Sequence, residues 1–118
     1  MEDCVFCKIA AGEIPAEKVY EDDLVCAFKD LSPQAPVHVL VIPKAHYGSV
    51  TDGVPAETLK AMFDAVAEVA RTTGVDATGF RCIANTGADA GQTVPHAHIH
   101  VLGGAPLGES LAVCEGGR

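Results

Sequence analysis

Three of the chain's five histidines fall within one stretch, Gly91-Gln92-Thr93-Val94-Pro95-His96-Ala97-His98-Ile99-His100-Val101-Leu102-Gly103-Gly104. The histidines alternate with apolar residues, and a period of two is typical of a half-buried β-strand. Because alternate side chains of a strand leave the same face, we expect His96, His98 and His100 in a row on one exposed face, about 6–7 Å apart. The opposite face should enter the core through Ala97, Ile99 and Val101. A row of imidazoles has few purely structural uses, so function is expected here.

Length and charge exclude several classes of protein. A chain of 118 residues, 48% of them hydrophobic, suits one compact domain. The formal net charge of −8 argues against broad binding to nucleic acid or to anionic membranes, which requires a basic face. The sequence has no run of about eighteen or more apolar residues, so no membrane-spanning helix is expected. The acidic start, Met1-Glu2-Asp3-Cys4, lacks the features of a signal peptide and predicts a cytoplasmic protein.

Periodicity in the rest of the chain predicts an α+β domain, with one antiparallel sheet and helices packed against it. The pattern indicates strands over Val19–Glu21, Leu24–Asp30, Val37–Pro43 and Phe80–Asn85, in addition to the histidine strand. A long helix should begin at Pro55 and end near Thr73, with Gly74 as its stop. A short helix should lie between Asp3, as its cap, and Gly12.

The row of histidines allows three interpretations: a structural role, a metal-binding triad or a catalytic group. Three alternating histidines make a purely structural role the least favoured, whereas His-x-His is a common zinc pair. The preceding loop, Asn85–Thr93, is rich in small residues and hydroxyls, and its backbone amides could hold phosphate oxygens. A neutral imidazole beside a bound phosphate can act as a nucleophile, and the middle residue, His98, has a supporting neighbour on each side.

The cysteines divide into two groups. Five cysteines in a reducing compartment do not suggest a disulfide framework. Cys26 and Cys82 lie in apolar runs and are expected in the core, and Cys114 lies in a glycine-rich tail. Cys4-x-x-Cys7 places two thiols one helical turn apart, which makes a chelating half-site that needs two further ligands. A pair of free thiols is the alternative.

Several short motifs together resemble the Hint branch of the histidine-triad (HIT) family. His96-Ala97-His98-Ile99-His100-Val101-Leu102 matches the histidine triad itself. The others, in the order of the family, are Cys4-Val5-Phe6-Cys7-Lys8-Ile9, Gly12-Glu13-Ile14-Pro15, Asp30-Leu31-Ser32-Pro33-Gln34-Ala35-Pro36, His38, Ile42-Pro43-Lys44-Ala45-His46 and His100-Val101-Leu102-Gly103-Gly104. The resemblance implies the HIT-like fold, an antiparallel sheet of about five strands with one long and one short helix. It implies a HIT domain over residues 1–104, followed by a C-terminal tail over residues 105–118.

The resemblance also implies roles for individual residues. His98 corresponds to the nucleophile that attacks the α-phosphorus of a nucleotide, and His100 and His38 correspond to the histidines that support it. Phosphate contacts are implied for Asn85, Gly91 and Thr93, ribose binding for Asp30, and a purine slot for Val5, Phe6, Ile9, Phe28 and Leu31. On physical grounds too, a base requires an apolar slot with few polar groups.

Zinc-containing bacterial members of the branch complete the cysteine half-site with two histidines. The matching residues here are His46 and His96, so the resemblance implies a zinc ion held by Cys4, Cys7, His46 and His96. Four protein ligands leave no open position, so the metal would be structural. The resemblance further implies a homodimer, and an uncovered sheet edge is a physical reason for one.

The expected activity is that of a hydrolase or transferase for purine nucleoside 5′-phosphoramidates. His98 would form a covalent nucleotidyl-histidine, from which water releases the nucleoside monophosphate. Two alternatives remain open: a nucleotide-binding or scaffold protein with incidental hydrolysis, and a dinucleoside polyphosphate hydrolase. Leu102 disfavours the second alternative, because that branch often has glutamine two residues after the third histidine.

Overall fold

The computed structural model describes residues 3–112, which form one sheet with a helix on each face. The elements are α1 (Val5–Ala10), β1 (Lys18–Glu21), β2 (Val25–Lys29), β3 (Val37–Pro43), α2 (Ala56–Thr73), β4 (Phe80–Ile83), a 3-10 turn (Ala88–Ala90) and β5 (Ile99–Gly103). The strands lie in the order β1-β2-β3-β5-β4, and every neighbouring pair is antiparallel. The predicted α+β fold, with five strands, one long helix and one short helix, is confirmed.

The two faces of the sheet carry different clusters of apolar side chains. Val39 and Val41 of the central strand β3 pack with residues of α2. Leu40 and Ile42, the alternate residues, lie in a second cluster with Phe6 of α1. The alternation of side chains along a strand produces this division, and each fully buried Val, Ile or Leu contributes about 1.5–3 kcal/mol. Even-numbered side chains of β3 therefore face α1.

The long helix α2 agrees with its predicted bounds. Pro55 stands at its N-cap, and Gly74 ends it in the left-handed conformation, with φ 83° and its N–H donated to the Arg71 carbonyl. The buried stripe of the helix consists of Thr58, Met62, Ala65, Val66, Val69 and Ala70. Most of this stripe packs against valines of β2, β3 and β5, so tertiary burial stabilises the helix more than its intrinsic propensity does.

The short helix α1 is capped by a cysteine and not by the predicted Asp3. Cys4 has extended backbone angles, and its Sγ accepts the N–H of Cys7 at 3.3 Å. Asp3 lies one residue too early, because the helix begins at Val5 and the capping side chain belongs to the residue directly before it. Gly12 adopts the predicted left-handed conformation, with φ 80°, after the helix has ended.

The histidine row is largely buried, and the prediction of an exposed row on one continuous strand is wrong. β5 begins at Ile99, so His96 and His98 precede it. Their exposed fractions are 0% and 5%. The ring of Phe6 packs edge-on against both imidazoles, with centroid distances of 5.8 and 6.0 Å, and this contact excludes water from them. The expected core positions are confirmed: Ala97, Ile99 and Val101 are all buried.

Cys82 is exposed, contrary to the prediction, whereas Cys26 is buried as expected. Cys82 lies on β4, an edge strand whose Phe80 and Ile83 are 40% and 36% exposed. An apolar run indicates a buried strand only where other elements cover it, and the strand order leaves β4 with a neighbour on one side alone.

The chain after β5 forms no helix or strand over residues 105–112. It is held back against the sheet by Arg81, whose guanidinium donates to the Gly108 carbonyl at 2.6 Å. The domain boundary at residue 104 stays a prediction, and Cys114 lies outside the described residues. Neither helix found between residues 3 and 112 combines the length and the apolar character that crossing a membrane requires.

Candidate active site

A cavity of about 410 Å³ lies between α1 and the sheet. Its lining includes every residue for which nucleotide contact was expected: Val5, Phe6, Ile9, Phe28, Asp30, Leu31, Asn85, Gly91, Thr93, His98 and His100. Phe6 and Phe28 pack edge to face, with ring centroids 5.6 Å apart, and give it a rigid apolar wall. The cavity combines apolar surface with loop amides and imidazoles, which suits a ligand that has both a flat base and an anionic group.

His38 does not line the cavity but is bonded to a residue that does. His100 pairs with Leu40 in the register of β3 and β5. Its side chain therefore lies on the same face of the sheet as that of Leu40, the face that α1 covers. The backbone N–H of Gln34 donates to His38 Nδ1 at 3.0 Å, so the proton of that ring lies on Nε2. His38 Nε2 then donates to His100 Nδ1 at 2.8 Å. This chain of bonds leaves the proton of a neutral His100 on its Nε2.

Burial lowers the pKa of His100 to about 4, with the charges of His98 and His38 adding to the effect and Asp30 opposing it. The ring is therefore neutral at pH 7 and carries a single N–H. Asp30 lies close to this pair, because its Oδ2 is 3.5 Å from His38 Nε2. Its other oxygen, Oδ1, accepts the backbone N–H of Ser32 at 2.7 Å, which fixes the carboxylate at the cavity wall.

His98 has one nitrogen bonded and one nitrogen available. Its Nδ1 lies 2.9 Å from the carbonyl oxygen of His96 and must donate, since a carbonyl only accepts. The lone pair of a neutral His98 is then on Nε2. The ring lines the cavity and stands nearly perpendicular to His100, with centroids 5.0 Å apart and an interplanar angle of 88°. Such a tautomer presents a nucleophilic nitrogen held in a fixed orientation.

The predicted metal ligands meet at the start of α1. One ligand atom from each of Cys4, Cys7, His46 and His96 lies within 4.8 Å of all the others. Cys4 Sγ is 3.2 Å from His96 Nδ1, and Cys7 Sγ is 3.3 Å from His46 Nδ1. The capping position of Cys4 and the helical turn to Cys7 bring both sulfurs to the same end of α1.

This donor set fits a zinc ion, because two sulfurs and two imidazole nitrogens are ligands that zinc binds in a tetrahedron. His96 Nε2 donates to the Pro43 carbonyl at 2.8 Å, so the Nδ1 lone pair faces the sulfurs. Burial lowers the pKa of His96, which favours the neutral form that binds metal. Burial raises the pKa of the Cys7 thiol, and Cys4 raises it further, so a bound metal would displace a proton there.

The loop between β4 and His96 contains a residue that the sequence interpretation missed. The Gln92 side chain accepts the N–H of Gly87 at 2.8 Å and donates to the carbonyls of Gly48 and Val94 at 2.7 and 3.1 Å. The other missed residues form more of the cavity lining: Ile14, Pro15, Ala16, Lys29, Leu40 and Val94. Only Ile14 and Pro15 could have been predicted from a motif, because they belong to Gly12-Glu13-Ile14-Pro15. The other lining residues are of ordinary types, and only the fold brings them to the cavity.

One short segment reaches three parts of the site through successive residues. His46 is one of the four candidate metal ligands. The Tyr47 carbonyl accepts the N–H of Ala97, the residue between the first two triad histidines, at 2.7 Å. The Gly48 carbonyl accepts the side chain of Gln92. The segment therefore ties the metal ligands, the nucleophile's backbone and the adjacent loop to one another.

Comparison with known proteins agrees with this geometry. The model of the HIT domain matches residues 11–107. The purine nucleoside phosphoramidase of Escherichia coli K12 is 47% identical over 114 residues, which cover 94% of this chain and 95% of that protein. Protein HitA of Neisseria gonorrhoeae is 47% identical over 105 residues, covering 87% and 97%.

Solved structures give the same result. A HIT family hydrolase from Clostridium thermocellum superposes with a TM-score of 0.91 at 44% identity, over 95% of this chain and 99% of that one. A histidine triad protein from Clostridium difficile gives 0.87 at 49% identity, over 93% and 97%. The predicted enzyme class, a hydrolase, is confirmed by these relatives. With the matched domain, the fold and the triad in agreement, the chain belongs to the HIT-domain family.

Proposed function

We propose that this protein hydrolyses purine nucleoside 5′-phosphoramidates through a covalent nucleotidyl-histidine on His98. The observation that carries the proposal is the state of His98, whose Nδ1 is bonded to the His96 carbonyl and whose ring lines a cavity of about 410 Å³. This bond leaves the Nε2 lone pair for attack on phosphorus. The name of the E. coli relative, purine nucleoside phosphoramidase, supports this choice of substrate class. The purine would lie against Phe6 and Phe28, and the ribose hydroxyls beside Asp30.

The reaction would proceed in two displacements at phosphorus. First, the Nε2 lone pair of His98 forms a bond to the α-phosphorus while the P–N bond breaks, and the leaving amine takes up a proton. The ring then carries a positive charge, which the His96 carbonyl stabilises through the Nδ1–H bond. Next, water attacks the phosphorus and loses a proton to solvent while the bond from phosphorus to Nε2 breaks. This step releases nucleoside monophosphate and returns the lone pair to Nε2, so His98 is neutral again. The Nε2–H of His100 would donate to a phosphoryl oxygen during both steps.

The metal site belongs to the same proposal in a structural role. Cys4, Cys7, His46 and His96 would hold a zinc ion with no open position, so it would supply cross-linking and not Lewis-acid chemistry. Cys4 caps α1 and Cys7 lies in its first turn, and α1 forms one wall of the cavity. His96 precedes the proposed nucleophile by two residues. The ion would thus fasten the helix to the backbone that carries His98.

We further propose that the protein acts as a homodimer in the cytoplasm, joined through β4 and α2. Edge strand β4 exposes Phe80 and Cys82, and Cys82 pairs with Val101 and so lies on the α2 face of the sheet. Helix α2 exposes 55% of Phe63 on the same side. A shallow cavity of about 170 Å³ that includes Phe63 and Cys82 joins the two elements. Exposed apolar surface at a sheet edge favours pairing with a second copy.

Turnover and trapping together test the proposed chemistry. We expect His98→Ala to reduce hydrolysis of an adenosine phosphoramidate by at least about 10³-fold, because the covalent route is removed. In wild type, quenching without acid during turnover should leave a nucleotidyl group on the peptide that contains His98, detected by mass spectrometry. Equal rates for both proteins would contradict the proposal. Tight AMP binding with no turnover of any phosphoramidate would favour the alternative of a binding protein.

A further inference from the structure

The loop that follows β4 has little of its own to hold it in shape. Residues 86–91 are exposed, and the 3-10 turn Ala88–Ala90 contributes no buried side chain. Gly87 and Gly91, at the two ends of this turn, have φ values of 83° and 78°, where glycine is freer than any other residue. The loop nevertheless presents Asn85, Gly91 and Thr93 to the cavity, so something must keep these groups in place.

The side-chain amide of Gln92 does this by closing the loop on itself. Its Oε1 accepts the N–H of Gly87 at 2.8 Å, and its backbone N–H donates to the Gly87 carbonyl at 3.1 Å. The two ends of the glycine-flanked turn are therefore joined. Its Nε2 uses one hydrogen on the Val94 carbonyl at 3.1 Å and the other on the Gly48 carbonyl at 2.7 Å. Both hydrogens of the amide NH₂ group are thus donated to backbone carbonyls.

The support to which Gln92 is bonded is itself well anchored. The N–H of Gly48 donates to Asp52 Oδ2 at 3.0 Å, and the neighbouring Tyr47 carbonyl accepts the N–H of Ala97. Ala97 is the residue directly before His98. The loop and the nucleophile therefore share one backbone support, and the amide of Gln92 is the link on the loop side.

We propose that Gln92 is a positioning residue, which holds the loop over residues 85–93 in the shape that receives the phosphate of the nucleotide. The inference rests on the proposed function, since it assumes that a phosphate lies beside His98. Gln92 is half-buried and does not line the cavity, whereas its neighbours Gly91 and Thr93 do. It therefore acts through the backbone of those neighbours and not by touching the ligand.

The chemistry of the contact requires an amide at this position. A carboxylate of nearly the same shape would keep the bond from the Gly87 N–H. It would lose both donors and set negative charge against the carbonyls of Gly48 and Val94. A leucine would lose all three side-chain bonds without adding charge. Gln92→Glu and Gln92→Leu thus remove the same link by different means.

The test compares ligands with and without a phosphate. AMP and adenosine are titrated by calorimetry against wild type, Gln92→Glu and Gln92→Leu. We expect the Kd of AMP to rise roughly 10- to 100-fold in both variants while that of adenosine changes less than about twofold. For adenosine phosphoramidate, we expect the fold decrease in kcat to exceed the fold increase in KM, because the phosphate interactions strengthen in the transition state.

Val66→Ala is the control for general loss of stability. Val66 lies in the core on the α2 side of the sheet, away from the cavity, so this variant should lower Tm and leave both Kd values unchanged. Equal loss of AMP and adenosine affinity in the Gln92 variants would overturn the inference, as would wild-type affinity for AMP. So would a wild type that binds AMP no better than adenosine. A wild type that binds AMP tightly but hydrolyses no phosphoramidate would overturn the proposed function alone, and the binding comparison would still decide the role of Gln92.

Discussion

Whether His98 can act as a nucleophile depends on which of its two ring nitrogens carries the proton. The carbonyl of His96 accepts from Nδ1, and this bond leaves Nε2 with its lone pair. The same logic runs through His38 and His100, where a backbone N–H at one end sets the tautomer of both rings. The three rings therefore differ in which nitrogen is protonated and in what that nitrogen contacts, because each ring has a different backbone or imidazole partner.

The depressed pKa of His100 makes a prediction about stability at low pH. Its pKa is about 4 in the folded protein and 6.5 in an unfolded chain, so between these values the unfolded chain binds a proton that the folded chain does not. The free energy of unfolding contributed by this group is therefore highest above pH 6.5 and falls as pH is lowered towards 4. We expect the Tm of wild type, measured by thermal unfolding, to fall as the pH is lowered over this range. The fall should be at least about 2 °C greater than that of His100→Gln. Parallel Tm curves for the two proteins would contradict the assignment.

His38 offers a second prediction for a single side chain. His38→Ala removes the donor to His100 Nδ1, which frees that ring to turn and to take the other tautomer. We expect kcat for the phosphoramidate to fall roughly 10- to 100-fold with a small change in the Kd of AMP, because His38 does not line the cavity. Steady-state kinetics with calorimetry measures both quantities, and an unchanged kcat would show that the His38–His100 bond is not needed.

At the scale of elements, α1 serves two sites at once. Its start supplies Cys4 and Cys7 to the metal cluster, and its buried residues Phe6 and Ile9 wall the cavity. A helix of six residues is too short to be stable in isolation, so its position depends on these contacts. Metal binding and nucleotide binding should therefore support each other through the same helix.

Removing the proposed zinc ion should loosen α1 and weaken nucleotide binding. We expect chelation, or the variant Cys7→Ser, to speed amide hydrogen exchange in α1 at least about tenfold while α2 exchanges as before. The Kd of AMP should rise at least about fivefold. Cys82→Ser is the matched control, because that thiol is exposed on β4 and lies outside the cluster. Wild type that contains no metal by elemental analysis, or unchanged exchange in α1, would contradict this prediction.

At the scale of the whole molecule, the candidate functional residues and the larger part of the apolar core lie on opposite faces of the sheet. The α1 face carries the cavity, the triad and the four residues proposed to bind zinc, whereas the α2 face carries the larger apolar cluster. The surface formed by β4 and α2 exposes the apolar residues Phe63, Phe80 and Cys82. Such surface is stable in water when a partner covers it.

The proposed dimer predicts the effect of a charge at this face. We expect wild type to be a dimer by light scattering at micromolar concentration and Phe63→Glu to be a monomer, since a carboxylate would be buried without a partner. Leu111→Glu is the control, because Leu111 is 93% exposed in the chain after β5. A monomeric wild type would contradict the dimer, and a Phe63→Glu dimer would move its interface elsewhere.

Local pattern was sufficient to predict most of the fold. The β-branched run in Val37–Pro43, the apolar stripe of α2 and the stop at Gly74 each depend on residues close in sequence. The resemblance to the HIT family then named the site residues. The structure places the expected nucleotide-binding residues around one cavity, His38 against His100 behind it, and the four expected metal ligands in one group. Predictions failed where exposure depends on distant elements, as for the histidine row beneath Phe6 and for Cys82 on its edge strand.

Sequence periodicity determines which residues share a face, because side-chain direction alternates along a strand whatever lies above it. It cannot determine which nitrogen of an imidazole is free, since that depends on backbone groups from other segments. The Gln34 N–H, the His96 carbonyl and the Pro43 carbonyl make those choices here. Gln92 was missed for the same reason: its partners lie up to 44 residues away, and only the folded chain brings them within hydrogen-bonding distance.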